Sequence, residues 1–411
     1  MDIPGLPARQ AALRLLDAVL RRGETLDQAA HNALQAVRAD ADRALARAIA
    51  AESLRWLTDL DRLIDSATQQ ALPDDAKPRS VLRLMLAQWL RLDTPPHAVI
   101  ATALPLLVGG PRRLAHGVFS TLVKRDAKLP DAPTLPPAVI ARWHGHAPGI
   151  AAALAEPPPL DLMLKDHAQT ESWRDKLGGV SLMSGHIRVP RGEAIERLDG
   201  FGEGAWWVQD LAASLPARLL GPGDGRRALD LCAAPGGKTL QLAAAGWRVT
   251  ALDISAKRLE RVAQNLARTG LEAEIVVADA LEWQPEALFD AILLDAPCTA
   301  TGTCRRHPDV LHRITQTQIR DMTEVQTRLL ERAQGWLAPG GRLVYAVCSL
   351  EREEGEDQAA AVTLASDPIT AEDLPPFLSP GPEGWLRTEP GMLPDDGGLD
   401  GFFIARWARA G

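Results

Sequence analysis

The sequence predicts two fold classes in series, an all-helical front and an α/β back half built on a parallel sheet with helices on both faces. Three observations carry this. Apolar residues recur at helical spacing from Arg9 to about Asp126. Beyond Gly221, short apolar runs alternate with amphipathic stretches, the order that builds a doubly wound sheet. Three of those runs, ALDLCAAPGGKTL from Ala228, LLDAPCTATGTCRRHP from Leu293 and LVYAVCSL from Leu343, end in small or reactive residues. Buried parallel strands that deliver chemistry at their carboxyl ends read this way, and the three are expected to end side by side.

A chain of 411 residues is long for one domain, and the organisation expected is residues 1–130, a linker over 131–159, a small α/β piece over 160–220 and the main α/β domain over 221–411. With 46% hydrophobic and 24% charged residues the composition is globular. The net charge of -8 gives no global footprint for nucleic acid, although local basic patches can still bind it. No signal-peptide pattern opens the chain and no run approaches the roughly eighteen apolar residues of a membrane span, so a soluble, cytoplasmic monomer without a membrane partner is expected. The four cysteines, Cys232, Cys298, Cys304 and Cys348, all lie in the second half, lack the spacing of a disulfide framework and read as thiols.

Taken in order, helical patterns run through Leu13, Leu16, Val19 and Leu20, through Leu54, Leu57, Leu60 and Ile64, and through Val81, Leu82, Met85, Leu86, Trp89 and Leu90. Gly23, Leu72-Pro73-Asp74-Asp75 and Pro95-Pro96 punctuate them, so six or seven helices are predicted. The arginines Arg9, Arg14, Arg21, Arg22, Arg43, Arg47 and Arg55 form either an RNA-facing surface or a solvated face. The runs ADRALARAIAAESLRWLTDLDRLID, RSVLRLMLAQWLRLDTPPHAVIATAL and GVFSTLVKRD resemble the NusB family, which implies a helical RNA- and protein-binding module. In place of that family's single proline before His-Ala, this chain has Pro95-Pro96.

The linker zone holds two short helices, near Ile140–Trp143 and Ile150–Leu154. LDLMLK and IRVP read as strands flanking a helix over Gln169–Leu177, and a further helix begins near Gln209-Asp210. The sheet then alternates through ALDLCAA, RVTALD, AEIVVAD, FDAILLDAP and GRLVYAVC, with a helix over Ile319–Leu337, and closes on the terminal strand DGFFIARW.

The loop Cys232-Ala233-Ala234-Pro235-Gly236-Gly237-Lys238 leaves a strand and enters a helix, where small residues admit a ligand to the backbone. A phosphate-binding loop needs glycine at Cys232, and a dinucleotide fingerprint needs three glycines that are absent. An acidic residue, Asp253, ends the next strand, where a carboxylate can accept from ribose hydroxyls, and Asp279 ends the one after. That set fits S-adenosylmethionine; the plain alternative is a tight turn with helix-capping aspartates.

Cys298 follows Asp295-Ala296-Pro297 at one strand end and Cys348 closes the neighbouring strand. Each alone reads as a small buried hydrophobe, and all four cysteines as a zinc site lack any Cys-x-x-Cys pair, so no metal is expected. Together they suit one reaction. A thiolate adding to carbon 6 of cytosine makes carbon 5 nucleophilic, and a second group assists the later elimination while a carboxylate holds the base.

With WVQD, LDLCAAPGGKT, DAPCTATGTCRRHPD, VYAVCSL and DGFFIARW in this order behind the NusB-like front, the chain resembles the Sun-type, RsmB-like RNA cytosine-5 methyltransferases over nearly its whole length. The resemblance implies Cys348 as nucleophile, Cys298 in product release, Asp295 on the cytosine, and Cys232 to Lys238 with Asp253, Asp279 and Asp295 around the cofactor. It also implies ribosomal RNA of the small subunit as substrate, with transfer RNA, or a non-catalytic RNA-binding assembly or antitermination factor, as alternatives. Arg305, Arg306 and His307 are the expected RNA contacts, against the alternative of a capping loop with surface charges. The chain departs from the family at Val347, where threonine is usual, at Cys304, where an aliphatic residue is usual, and at Glu353-Glu354-Gly355-Glu356, where an Asn-Glu element is common.

Overall fold

The computed structural model describes residues 4–192 and 194–411, which divide into two compact units. The first comprises the chain up to Pro157 together with Cys304–Ile314. Its helices are α1 (Leu6–Arg22), α2 (Leu26–Ala33), α3 (Asp40–Arg55), α4 (Leu57–Ser66), α5 (Lys77–Arg91), α6 (Pro96–Ala103), α7 (Gly109–Lys124), α8 (Pro137–Trp143) and α9 (Ala147–Ala153). Local signals set their ends. Gly23 closes α1 in the left-handed region with φ 67°, and Thr25 with Gln28 forms a reciprocal capping box on α2. The predicted stripes meet in one core of Leu13, Leu16, Leu54, Leu60, Val81 and Met85, all buried.

Three expectations change here. Residues 131–157 are not a free linker: Thr134 donates from its backbone N–H to Asp59 at 2.7 Å, and Arg91 donates to the Ala155 carbonyl at 2.7 Å, so the segment folds with the bundle. Arg9 and Arg55 are buried rather than part of a basic face, Arg9 donating to Gln88 at 2.8 Å and Arg55 to Glu52 at 3.0 Å. Cys304–Ile314, contiguous in sequence with the catalytic motif, belongs to this helical unit. Within it Arg55 donates to the Arg305 carbonyl at 2.8 Å, and the His312 ring bonds the Leu54 carbonyl at 2.7 Å.

The second unit comprises Pro158–Thr303 and Thr315–Gly411. It opens with β1 (Leu160–Leu164), α10 (Thr170–Leu177), β2 (His186–Val189), β3 (Trp206–Val208) and α11 (Leu211–Arg218). The three strands form an antiparallel sheet in the order β2-β1-β3. Asp161 fastens this sheet to α11, accepting from the Arg188 guanidinium at 2.6 and 2.8 Å and from the Leu211 N–H at 3.0 Å.

The large sheet is built from β4 (Arg227–Leu231), α12 (Gly237–Ala244), β5 (Arg248–Asp253), α13 (Ala256–Thr269), β6 (Glu274–Val277) and β7 (Phe289–Asp295). After α14 (Val310–Arg313), which lies in the helical unit, come α15 (Gln316–Trp336), β8 (Leu337–Val347), α16 (Glu356–Ala360), β9 (Ala365–Ser366), β10 (Leu386–Thr388) and β11 (Phe402–Ala408). The order is β10-β11-β8-β7-β4-β5-β6. Strands β8, β7, β4, β5 and β6 are mutually parallel, and buried side chains cover both faces.

One edge of the sheet is antiparallel. β11 runs antiparallel to β8, β9 and β10. The order β8-β7-β4 does bring the three motif-bearing strands together, and α12, α13 and α15 keep the predicted alternation.

Candidate active site

The site is built on the carboxyl ends of β4, β5, β7 and β8, where loops leave a parallel sheet and backbone groups face outward. The first loop turns at Cys232, with φ 67°, and at Gly236, with φ 104°, before α12 begins at Gly237. A side chain at Gly236 would be strained by that φ and would press on Val262 at 3.1 Å. Asp253, buried at the end of β5, braces the loop by accepting from the Ala234 N–H at 3.2 Å, and also accepts from the Ser255 N–H at 2.9 Å. Arg258 donates to the Ala234 carbonyl. Asp279 lies two residues past β6 and accepts from the Leu281 N–H at 2.9 Å.

Beneath the loop, Asp230 is fully buried. One of its oxygens accepts from the Thr239 hydroxyl at 2.5 Å, and the other has no hydrogen-bond partner among the described residues. Burial pushes this carboxyl up to about 7, against the opposing bond from Thr239. A carboxyl raised on folding contributes stability that is full below its unfolded value and is lost as pH rises through about 7. Asp230→Asn, which cannot ionise, is therefore expected to gain on the parent as pH goes from about 5 to 8, by roughly 3 kcal/mol. Urea melts across that range measure it; a difference independent of pH would mean that Asp230 does not titrate there.

An S-adenosyl donor fits this end of the sheet. Asp253 ends β5 and Asp279 follows the neighbouring β6 by two residues, both carboxylates able to accept from hydroxyl groups, the orphaned Asp230 oxygen is a further buried acceptor, and Ile254, 67% exposed beside Asp253, offers an apolar face. Sequence reading missed Ile254, although an apolar residue directly after a strand-ending aspartate was visible.

The candidate reactive groups lie at the end of β7 and on the loops that follow β7 and β8. Asp295 is the last residue of β7 and accepts from the Lys238 ammonium at 2.7 Å. Burial opposes the Lys238 charge, but Asp295, and more weakly Cys348, outweigh it and hold the ammonium's pKa up. Cys298 and Cys348 place their sulfurs 3.5 Å apart. The hydrogen bond to Cys348 and burial push the Cys298 thiol well above its ordinary range, so Cys298 keeps its proton; either sulfur can be the donor in the contact between them. Cys232 is different: burial, with Asp253 and Asp295 nearby, raises its thiol too, and its place is in the loop.

The segment after Cys298 is sewn to the one after Cys348. The Gly302 N–H donates to the Cys348 carbonyl at 3.0 Å, and the Leu350 N–H donates to the Thr301 hydroxyl at 3.0 Å. Gly302 must lack a side chain, since a Cβ there would stand 1.9 Å from the Gly401 carbonyl oxygen. Val347 is fully buried opposite Phe403 of β11, where an apolar β-branched residue packs. A cavity of about 420 Å³ opens beside the loop, lined by Phe201, Trp207, Lys238, Arg261 and Asp295 among others.

Not every expected residue joins this site. Arg305 is 2% exposed and Cys304 is buried, both in the helical unit. A phosphate clamp must reach solvent, so Arg305 is corrected to a structural residue. Arg306 and His307 are half-exposed in the same segment, His307 lying 3.9 Å from Asp27.

A Rossmann-like sheet with a glycine loop, strand-ending carboxylates and an acid-cysteine pair at its carboxyl edge defines an S-adenosylmethionine-dependent methyltransferase. The family described as 16S rRNA methyltransferase RsmB/F matches residues 217–408, and the NusB family matches residues 6–108. The ribosomal RNA small subunit methyltransferase B of Xylella fastidiosa (strain Temecula1) is 34% identical over 98% of each chain. That of Klebsiella pneumoniae subsp. pneumoniae is 32% identical over 97% of each. Among solved structures, that titled PH0851 superposes with a TM-score of 0.74 at 21% identity, covering 99% of each chain. NSun6 from Pyrococcus horikoshii with SFG superposes with a TM-score of 0.58 at 20% identity, over 68% of this chain and 99% of that one. Both share the fold. The chain belongs to the ribosomal RNA small subunit methyltransferase B family, and it is an RNA methyltransferase that uses S-adenosylmethionine.

Proposed function

We propose that the chain methylates carbon 5 of a cytosine in small-subunit ribosomal RNA, through a covalent bond between Cys348 and carbon 6 of the base. The observation that carries this reading is the pair of sulfurs 3.5 Å apart at the ends of two adjacent parallel strands, next to the Asp295–Lys238 ion pair. The ribosomal substrate rests on the names of the relatives and on the NusB match.

Cys348 attacks as the thiolate while Cys298 keeps its proton. Its addition to carbon 6 pushes negative charge into the ring. Lys238 supplies a fixed positive charge for it, and Asp295 holds the amino edge of the base. S-adenosylmethionine, when bound, supplies the methyl group as an electrophile to carbon 5. Formation of the carbon–sulfur bond removes the largest of the interactions that hold the Cys298 proton, the hydrogen bond to Cys348, and that proton then passes to water. The Cys298 thiolate then takes the proton from carbon 5, the ring double bond re-forms, and Cys348 leaves as thiolate. One proton is released overall and the pair returns to its starting state.

Arg261, exposed beside the cavity that contains Lys238 and Asp295, and the half-exposed Arg306 and His307 are the candidate RNA contacts. Activity on ribosomal RNA implies work in the cytoplasm. The test is bisulfite sequencing of ribosomal and transfer RNA from cells with and without the gene. Loss of one protected cytosine in small-subunit ribosomal RNA is the expected result; loss confined to transfer RNA, or no loss, overturns the substrate assignment.

A further inference from the structure

Glu354 lies six residues beyond Cys348, in the stretch where the chain departs from its family's Asn-Glu pattern. Its side chain is fully buried, which a carboxylate tolerates only when its oxygens are paired. One oxygen accepts from the Thr299 N–H at 2.9 Å and from the Gln326 amide at 3.1 Å. The other accepts from the Ser349 hydroxyl at 2.5 Å and from the Thr299 hydroxyl. Thr299 directly follows Cys298 and Ser349 directly follows Cys348. A single carboxylate therefore ties the residue after each sulfur to the same point.

Other bonds hold that point still. The Tyr345 hydroxyl on β8 donates to the Glu354 carbonyl at 2.6 Å, and Gln326 on α15 also donates to the Pro297 carbonyl at 3.0 Å, just before Cys298. Arg387 on β10 donates to the Ser349 carbonyl. The strands end at Asp295 and Val347, so both cysteines lie on loop backbone that the sheet no longer orients. A clamp shared by two loops is what keeps two such sulfurs at a working separation.

We infer that Glu354 is the positioning residue of the methyl-transfer reaction, setting the geometry of Cys298 against Cys348 through Thr299 and Ser349. This rests on the two-cysteine reading above. Burial raises the Glu354 carboxyl, against the bonds from Ser349, Thr299 and Gln326, and its charge contributes to holding the Cys298 proton. The hydrogen bonds of its oxygens go to Thr299, Ser349 and Gln326, so its effect passes through the cysteines.

The experiment uses the full chain and a small-subunit ribosomal RNA transcript, with normal cytosine for kinetics and with 5-fluorocytosine for trapping. The carbon–fluorine bond cannot lose a proton, so the covalent adduct persists and can be counted on a denaturing gel. The parent chain must form adduct and Cys348→Ala must not; failure of either control rejects the two-cysteine reading itself. With the controls in place, Glu354→Gln is expected to lower kcat roughly 10²-fold with KM for RNA and affinity for S-adenosylmethionine within about twofold. Ser349→Ala and Thr299→Val each remove one hydroxyl of the clamp and can be read even if Glu354→Gln fails to fold. Ser349→Ala slows adduct formation, and Thr299→Val slows release on normal RNA. Parent-like kcat in the folded variants overturns the inference, and so does a loss of kcat matched by equal losses in cofactor affinity and thermal midpoint.

Discussion

Replacing Cys348 by alanine is expected to abolish transfer of labelled methyl from S-adenosylmethionine to RNA, by at least roughly 10³-fold, while cofactor affinity stays within about twofold. The size follows from the chemistry. Without a nucleophile at carbon 6 the ring has no way to make carbon 5 reactive, so no remaining group can take over the step. Cofactor affinity is spared because Cys348 lies beyond β8, whereas the donor's loop lies between β4 and α12. Its hydrogen-bond contact is with Cys298, 3.5 Å away, and it acts on the Cys232–Lys238 loop only through its charge beside Lys238, more weakly than Asp295 does. Radiolabel transfer and equilibrium binding separate the two effects; full activity in the variant would remove Cys348 from the reaction.

Cys298→Ala is expected to do the opposite to the intermediate. It leaves the attacking sulfur in place and removes the group that takes the proton from carbon 5, so the RNA stays bonded to protein. A band resistant to denaturation but sensitive to nuclease should accumulate, with turnover falling by roughly 10²-fold or more. The geometry allows no neighbouring thiol to substitute among the described residues: Cys232 belongs to the cofactor loop and Cys304 to the other unit. An active variant that yields no adduct with normal RNA would sink the division of labour between the cysteines.

Much of this site could be read along the chain, for a reason specific to it. The cofactor loop needs consecutive small residues between a strand and a helix, and both cysteines follow buried strands within three residues, so each piece is contiguous. The helical front was legible too, because the stripes Leu13–Leu16–Val19 and Val81–Leu82–Met85 repeat at the helix period and end at Gly23 and Pro95. What could not be read depended on partners distant in sequence. Arg305 looks like a surface charge beside a catalytic motif, yet its backbone is held by Arg55, 250 residues away, and its side chain is buried. Residues 131–157 read as a linker from their prolines, but Asp59 and Arg91 bind them into the bundle.

By itself, the sequence determined the two fold classes and pointed to the donor loop and the two cysteines, because all of these arise from local periodicity and contiguous motifs. Only the tertiary structure decided that those sulfurs meet at 3.5 Å, that β11 closes the sheet antiparallel, and that a buried Glu354 ties both cysteine loops together. These are facts of strand order and of hydrogen bonds between loops, and a carboxylate's role as a clamp exists only once folding has removed it from water.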